Sequence, residues 1–140
     1  MVHLIVHRLN PQARIPKRHT EHDAGIDLYT TESYLLRPGE THAFATGIAT
    51  QFEQGYVALI WDRSSLGARG VHAFAGVIDA GYRGEWKVVL HNASDETVAI
   101  QKGDRVAQAI IQRFDPVLVS EAPELDQSPR GKGAFGSSGR

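Results

Sequence analysis

Cysteine is absent from this chain. That absence excludes a disulfide framework, a thiolate zinc site and a cysteine nucleophile, and it is compatible with a reducing compartment. A surplus of one charge is also missing: 15 Lys and Arg stand against 16 Asp and Glu, for a formal net charge of −1. Without a basic field nothing holds the backbone of DNA or RNA, so no nucleic-acid polymer is expected as a partner. Long apolar runs are lacking too. The stretch Met1-Val2-His3-Leu4-Ile5-Val6-His7-Arg8 is too short for the apolar region of a secretion signal, and no later run approaches a membrane span. A soluble, cytoplasmic chain with no membrane partner is the expectation, and its 140 residues suffice for one domain.

What the sequence does contain is a series of short apolar or alternating runs, at residues 2–7, 25–29, 33–36, 43–49, 56–61, 86–91, 97–100 and 106–111. Runs of this length between turn residues predict an all-β sandwich or barrel. Trp86, Val88 and Leu90 alternate with Lys87, Val89 and His91, the period of two of a strand. Arg37-Pro38-Gly39, Gln54-Gly55, Ala80-Gly81 and Lys102-Gly103-Asp104 supply the breaks. One short helix is expected near Ser64 to Ala68, with Ser64 or Ser65 as its cap.

Composition shifts at about residue 121 to Pro, Ser, Gly and charge, which cannot add a core strand. The expected division is therefore a β domain over 1–120 and a flexible tail over 121–140. Within the tail, Arg130-Gly131-Lys132-Gly133-Ala134-Phe135-Gly136-Ser137-Ser138-Gly139 sets two cations, four glycines and two hydroxyls around one ring. Glycines let successive N–H groups turn toward an anion, so these are the ingredients of a phosphate-binding lid with a stacking group.

Four further clusters carry possible chemistry. In Ala24-Gly25-Ile26-Asp27-Leu28-Tyr29-Thr30 an acid interrupts a strand-like run. Asp27 is either a structural acid or a group that holds water on a triphosphate-bound Mg²⁺. Asp62-Arg63-Ser64-Ser65-Leu66-Gly67 offers a planar guanidinium and two hydroxyls suited to phosphate oxygens. Gly76-Val77-Ile78-Asp79-Ala80-Gly81-Tyr82-Arg83-Gly84 encloses an acid and an aromatic among glycines, a tight hairpin that a planar ligand can approach closely. There Asp79, behind two β-branched apolar residues, is a candidate general base toward water, and Tyr82 a candidate floor for a sugar. In Gly103-Asp104-Arg105-Val106-Ala107-Gln108, the adjacent Asp104 and Arg105 are expected to form a structural ion pair, while Gln108 faces phosphates or the attacking water.

Together these strings resemble the five ordered motifs of the trimeric dUTPase family: AGIDLYT, RSSLG, GVIDAGYRG, GDRVAQ and RGKGAFGSSG, over residues 24 to 139. The resemblance implies a distorted antiparallel jelly roll, a homotrimer with sites at subunit contacts, and Mg-dependent hydrolysis of dUTP to dUMP and pyrophosphate. Such a reaction limits uracil in DNA and supplies dUMP for dTMP synthesis. It further implies that Asp79 orients the water and the 3′-hydroxyl, that Tyr82 rejects ribose and that Gln108 shares the catalytic work. Arg63, Ser64 and Ser65 would lie on the phosphate side, with Asp27 at the metal-bound water. Gly76, Val77, Ile78 and Lys87 complete the expected substrate contacts. From the tail, Phe135 would close over uracil, Arg130, Ser137 and Ser138 would contact the γ-phosphate, and Gly136 would be a further substrate-binding residue.

Two departures from the family pattern stand out. Trp61-Asp62 replaces a small residue and proline, which is expected to place an extra carboxylate near the phosphates. Ala73-Phe74-Ala75 replaces a loop with an Asn or Gly beside the base. Two rivals remain at this level: the related dCTP deaminases, and a non-catalytic nucleotide-sensing regulator. The deaminases place a glutamate base where this chain has Val89, with Glu85 four residues out of register.

Overall fold

A computed structural model describes residues 1–134. Eleven short strands and one helical turn follow one another: β1 (Ile5–Arg8), β2 (Ile26–Tyr29), β3 (Tyr34–Leu36), β4 (Thr41–Ala45), β5 (Ile48–Gln51), β6 (Tyr56–Trp61), α1 (Ser64–Gly67), β7 (Val71–Phe74), β8 (Val77–Asp79), β9 (Lys87–Asn92), β10 (Val98–Ile100) and β11 (Arg105–Arg113). All pairings are antiparallel, in sheets ordered β1-β5, β10-β3, β2-β11-β6-β8 and β4-β9-β7. This is the all-β architecture that the run lengths pointed to, in the antiparallel jelly-roll form that the resemblance implied.

The alternation in residues 86 to 91 is realised: Trp86, Val88 and Leu90 are buried while Lys87 is exposed. With Phe44, Leu28, Leu36, Val98 and Val106 they form the centre of the core, each full burial worth about 1.5–3 kcal/mol. Asn92, fully buried, is satisfied: its amide donates to Leu36 O at 2.9 Å and Glu96 O at 2.7 Å, and its carbonyl accepts from Ser94. The run at 43–49 is two strands, β4 and β5, separated at Gly47, whose φ of 69° makes the break. Strand β7 was not among the expected runs.

The four-stranded sheet positions the site. Residues directly opposite across antiparallel strands share a face. Ala58, Ile60, Ile78 and Ala109 thus turn into the core. The other face carries three rows: Asp79–Val57–Gln112, Val77–Leu59–Ile110 and Trp61–Gln108–Asp27. Val77 and Trp61 on it are 68% and 54% exposed.

Past Arg113 no strand forms among the described residues, and those of the 121–134 segment are exposed except Gly133, which is half-buried. Arg130 folds back to donate to Gly133 O at 3.0 Å.

Candidate active site

Two groups of predicted residues assemble, at opposite corners of that sheet face. The first surrounds the C-terminal end of β6. Asp27 lies between two guanidinium groups, with Arg105 Nη1 at 3.2 Å and Arg63 Nε at 3.6 Å. Arg63 also reaches Ser65 Oγ and Arg105 O, each at 3.5 Å. Gln108 Nε2 donates to Asp62 O at 2.9 Å. Ser64 and Ser65 stand exposed in the first turn of α1, which Leu66 pins to the core.

The second group lines a cavity of about 430 Å³ formed by Ala75, Val77, Ile78, Asp79, Tyr82, Glu85, Trp86, Lys87 and Val89. Asp79 closes the strand β8 and begins a turn in which Tyr82 N–H donates to Asp79 O at 3.0 Å. Arg83 braces the turn through Ala80 O at 2.7 Å. Tyr82 Oη donates to Glu85 O at 3.1 Å, and its ring lies so close to Gly84 that a Cβ there would stand 2.4 Å from Oη. Gly76 anchors the approach to β8, its carbonyl accepting Ile60 N–H at 2.7 Å.

The register measures how far apart the two groups are. Gln108 is opposite Trp61 and Asp79 opposite Val57, four residues along β6, while β2 and β8 are three strands apart. At about 3.3 Å per residue and about 4.8 Å per strand, Asp27 and Asp79 are separated by roughly 20 Å. One protomer does not bring its own Asp79 hairpin and its own Asp27, Arg63 and Gln108 together.

For a divalent ion the fit is of one particular kind. Among the described residues no group of three His, Cys, Asp or Glu side chains converges, and the oxygens of Asp27 face arginines. An ion held mainly by triphosphate oxygens and water, as suits Mg²⁺, is compatible with this donor set.

With this geometry in place, likeness to known proteins decides the family. A family model described as dUTPase matches residues 11–139. The chain belongs to the dUTPase family. It is 44% identical to deoxyuridine 5'-triphosphate nucleotidohydrolase of Thermobifida fusca over 99% of this chain and 79% of that one. With the same-named protein of Nautilia profundicola it shares 40% identity over 98% and 99%. The fold matches Staphylococcus bacteriophage 80alpha dUTPase with dUpNHpp at a TM-score of 0.89, 29% identity and 99% coverage of both chains. A mutant DUTPase from phage phi11 of S. aureus, described with a structural Mg(II) ion, matches at a TM-score of 0.80 and 26% identity over 89% of this chain and 99% of that one.

Several expectations need correction. No side chain caps α1: its N-cap is Arg63, in extended conformation, so neither Ser64 nor Ser65 serves as the cap. Arg105 pairs with Asp27, not Asp104, whose carboxylate accepts Gln101 N–H at 2.8 Å. The extra carboxylate of Asp62 is bound to His72 Nδ1 at 2.8 Å and to Ala73 N–H. Asp79, which follows Val77 and Ile78, is itself exposed in the protomer. Val89 lines the cavity where a deaminase needs its carboxylate, and Glu85 accepts Gly47 N–H at 2.9 Å. Sequence reading missed Arg105 as the partner of Asp27 and Trp86 as a cavity wall, while Ala75, from the loop expected beside the base, does line the cavity. Phe135, Gly136, Ser137 and Ser138 lie outside the described residues.

Proposed function

We propose that this dUTP-hydrolysing enzyme works in a site shared between copies of a homotrimer, with Asp79 as the base. The nucleoside occupies the Asp79–Tyr82 cavity of one copy, and the triphosphate meets Arg63, Ser64, Ser65 and Gln108 of another. The observation that carries this reading is the separation of roughly 20 Å between the two groups, too far for one sugar and its α-phosphate to bridge. The sheet face between them supports it. Val57, Leu59, Trp61, Ile110 and Val77 form an apolar surface of the kind that a soluble protein covers with a partner. Val117, Leu118 and Val119 add a run of three exposed apolar residues beyond β11.

In the proposed reaction a water oxygen bonds to the α-phosphorus as its proton passes to the Asp79 carboxylate. The bond from the α-phosphorus to the bridging oxygen breaks, and pyrophosphate leaves. Arg63 and Gln108 hold charge and orientation on the phosphate side, and most of the rate comes from positioning and charge stabilisation. When bound, Mg²⁺ would supply charge neutralisation to the triphosphate, and Asp27, oriented by its two arginines, is the residue that would hold water on the ion. Tyr82 under the sugar excludes a 2′-hydroxyl. Lys87, Val77 and Ile78 border the base and sugar. The tail from residue 121, with Arg130 and Phe135, closes over the nucleotide in this reading. A cytoplasmic setting is compatible with the absence of cysteine, and no described helix is long and apolar enough to cross a membrane.

A product assay on dUTP, dCTP, UTP and dTTP, with Mg²⁺ and with chelator, tests this. Pyrophosphate and dUMP from dUTP alone, lost on chelation, are expected. Ammonia from dCTP, or full turnover in chelator, contradicts the reading.

A further inference from the structure

Asp62 stands between the last residue of β6 and Arg63, and it binds in two directions. Its carboxylate is committed to β7, through His72 Nδ1 at 2.8 Å and Ala73 N–H. Its backbone carbonyl is committed to β11, through Gln108 Nε2 at 2.9 Å. Arg63, Ser64 and Ser65 follow it directly along the chain. A single residue thus ties the turn that carries the phosphate-side donors to two separate strands.

The charge of that carboxylate makes the arrangement consequential. A carboxylate left loose one residue from Arg63 would repel a triphosphate and compete for the guanidinium. Bound by a ring nitrogen and a backbone N–H, it is held on β7. The Arg63 guanidinium instead meets Asp27, Ser65 and the Arg105 carbonyl.

We propose that Asp62 is a positioning residue for the phosphate side of the site, a strut from β7 that fixes the Arg63 turn and the Gln108 amide. The inference rests on the phosphate-side reading of Arg63 and Gln108. It acts through those residues and makes no contact with the nucleotide itself.

Binding of two probes to the full-length protein with Mg²⁺ present separates this role from a general structural one. The probe dUpNHpp needs both halves of the site, whereas deoxyuridine needs only the Asp79–Tyr82 cavity. Asp62→Ala should weaken dUpNHpp about tenfold, the scale of one lost hydrogen bond to a charged group, and leave deoxyuridine unchanged. Asp62→Asn, which keeps an oxygen for Ala73 N–H, should recover most of the loss. His72→Ala, at a half-exposed position outside the turn, should shift dUpNHpp in the same direction and serves if Asp62→Ala does not fold. Wild-type affinity for dUpNHpp in folded Asp62→Ala or His72→Ala overturns the strut, as does an equal loss for both probes. Arg63→Ala distinguishes the two readings. If it also binds dUpNHpp normally, the phosphate-side assignment itself fails; if it alone loses affinity, only the strut does.

Discussion

Gln108 occupies the space that a side chain at position 25 would need: a Cβ on Gly25 would stand 2.2 Å from Gln108 Oε1. The lack of a side chain at Gly25, just before β2, therefore leaves the room that the Gln108 amide takes up while it donates to Asp62 O. Gly25→Ala should push that amide away and break its bond to Asp62 O. Its kcat/KM for dUTP is expected to fall about tenfold, the worth of one hydrogen bond of about 1.4 kcal/mol. Unchanged steady-state kinetics would show that Gln108 need not sit there.

Tyr82 and Gly84 are related in the same way, since the ring leaves no room for a Cβ at 84. Tyr82→Ala should narrow the ratio of kcat/KM between dUTP and UTP by admitting the 2′-hydroxyl. Gly84→Ala should narrow it too, by displacing the ring. An unaltered ratio in both variants would move sugar selection to another residue.

Outside both residue groups of the site, the Tyr34 hydroxyl donates to the Glu40 carboxylate, and the Tyr34 ring stacks on His42 with centroids 3.8 Å apart. That hydroxyl, and then the Arg37 N–H, hold Glu40 below its ordinary value; the same bond holds the Tyr34 phenol above its own. A depressed carboxylate stabilises the fold above its unfolded value, a contribution lost as pH falls through the folded one. A raised phenol stabilises below its unfolded value, a contribution lost as pH rises through the folded one. Tyr34→Phe should accordingly flatten the stability profile at both the carboxylate and the phenol ends. Denaturant unfolding across a pH series measures this, and parallel profiles for the two proteins would contradict it.

Deleting residues 130–140 should leave unfolding of the body nearly unchanged, because no strand forms in this region among the described residues and those of 130–134 are mostly exposed. Turnover of dUTP should nevertheless drop sharply. Equal turnover by the truncated chain would remove the tail from the mechanism.

Much of the fold was legible because burial alternates with a strict period of two, as in Trp86, Val88 and Leu90. Strand β7 was not, since Val71-His72-Ala73-Phe74 owes its form to pairing with β9 more than to its own composition. The expected Asp104–Arg105 pair shows another limit. Neighbours along an extended chain point to opposite faces, and only the β2–β11 register, shifted between Arg105 and Ala107, brings Arg105 to Asp27. Site residues were legible as types, but spacing along the chain could not show that they gather at two distant corners.

That division between corners is the central claim, and mixing two inactive chains tests it most directly. Asp79→Asn should lose roughly 10²-fold to 10⁴-fold in turnover, the scale of a general base, and Arg63→Ala should be severely impaired as well. Refolded together in equal amounts, they can pair the intact Arg63 of one chain with the intact Asp79 of the other. In a closed three-fold ring with random assembly, about one site in four then holds both groups. Recovery of dUTP turnover near that fraction is the result predicted; no recovery, in mixed trimers verified by mass, would mean that each protomer builds its site alone.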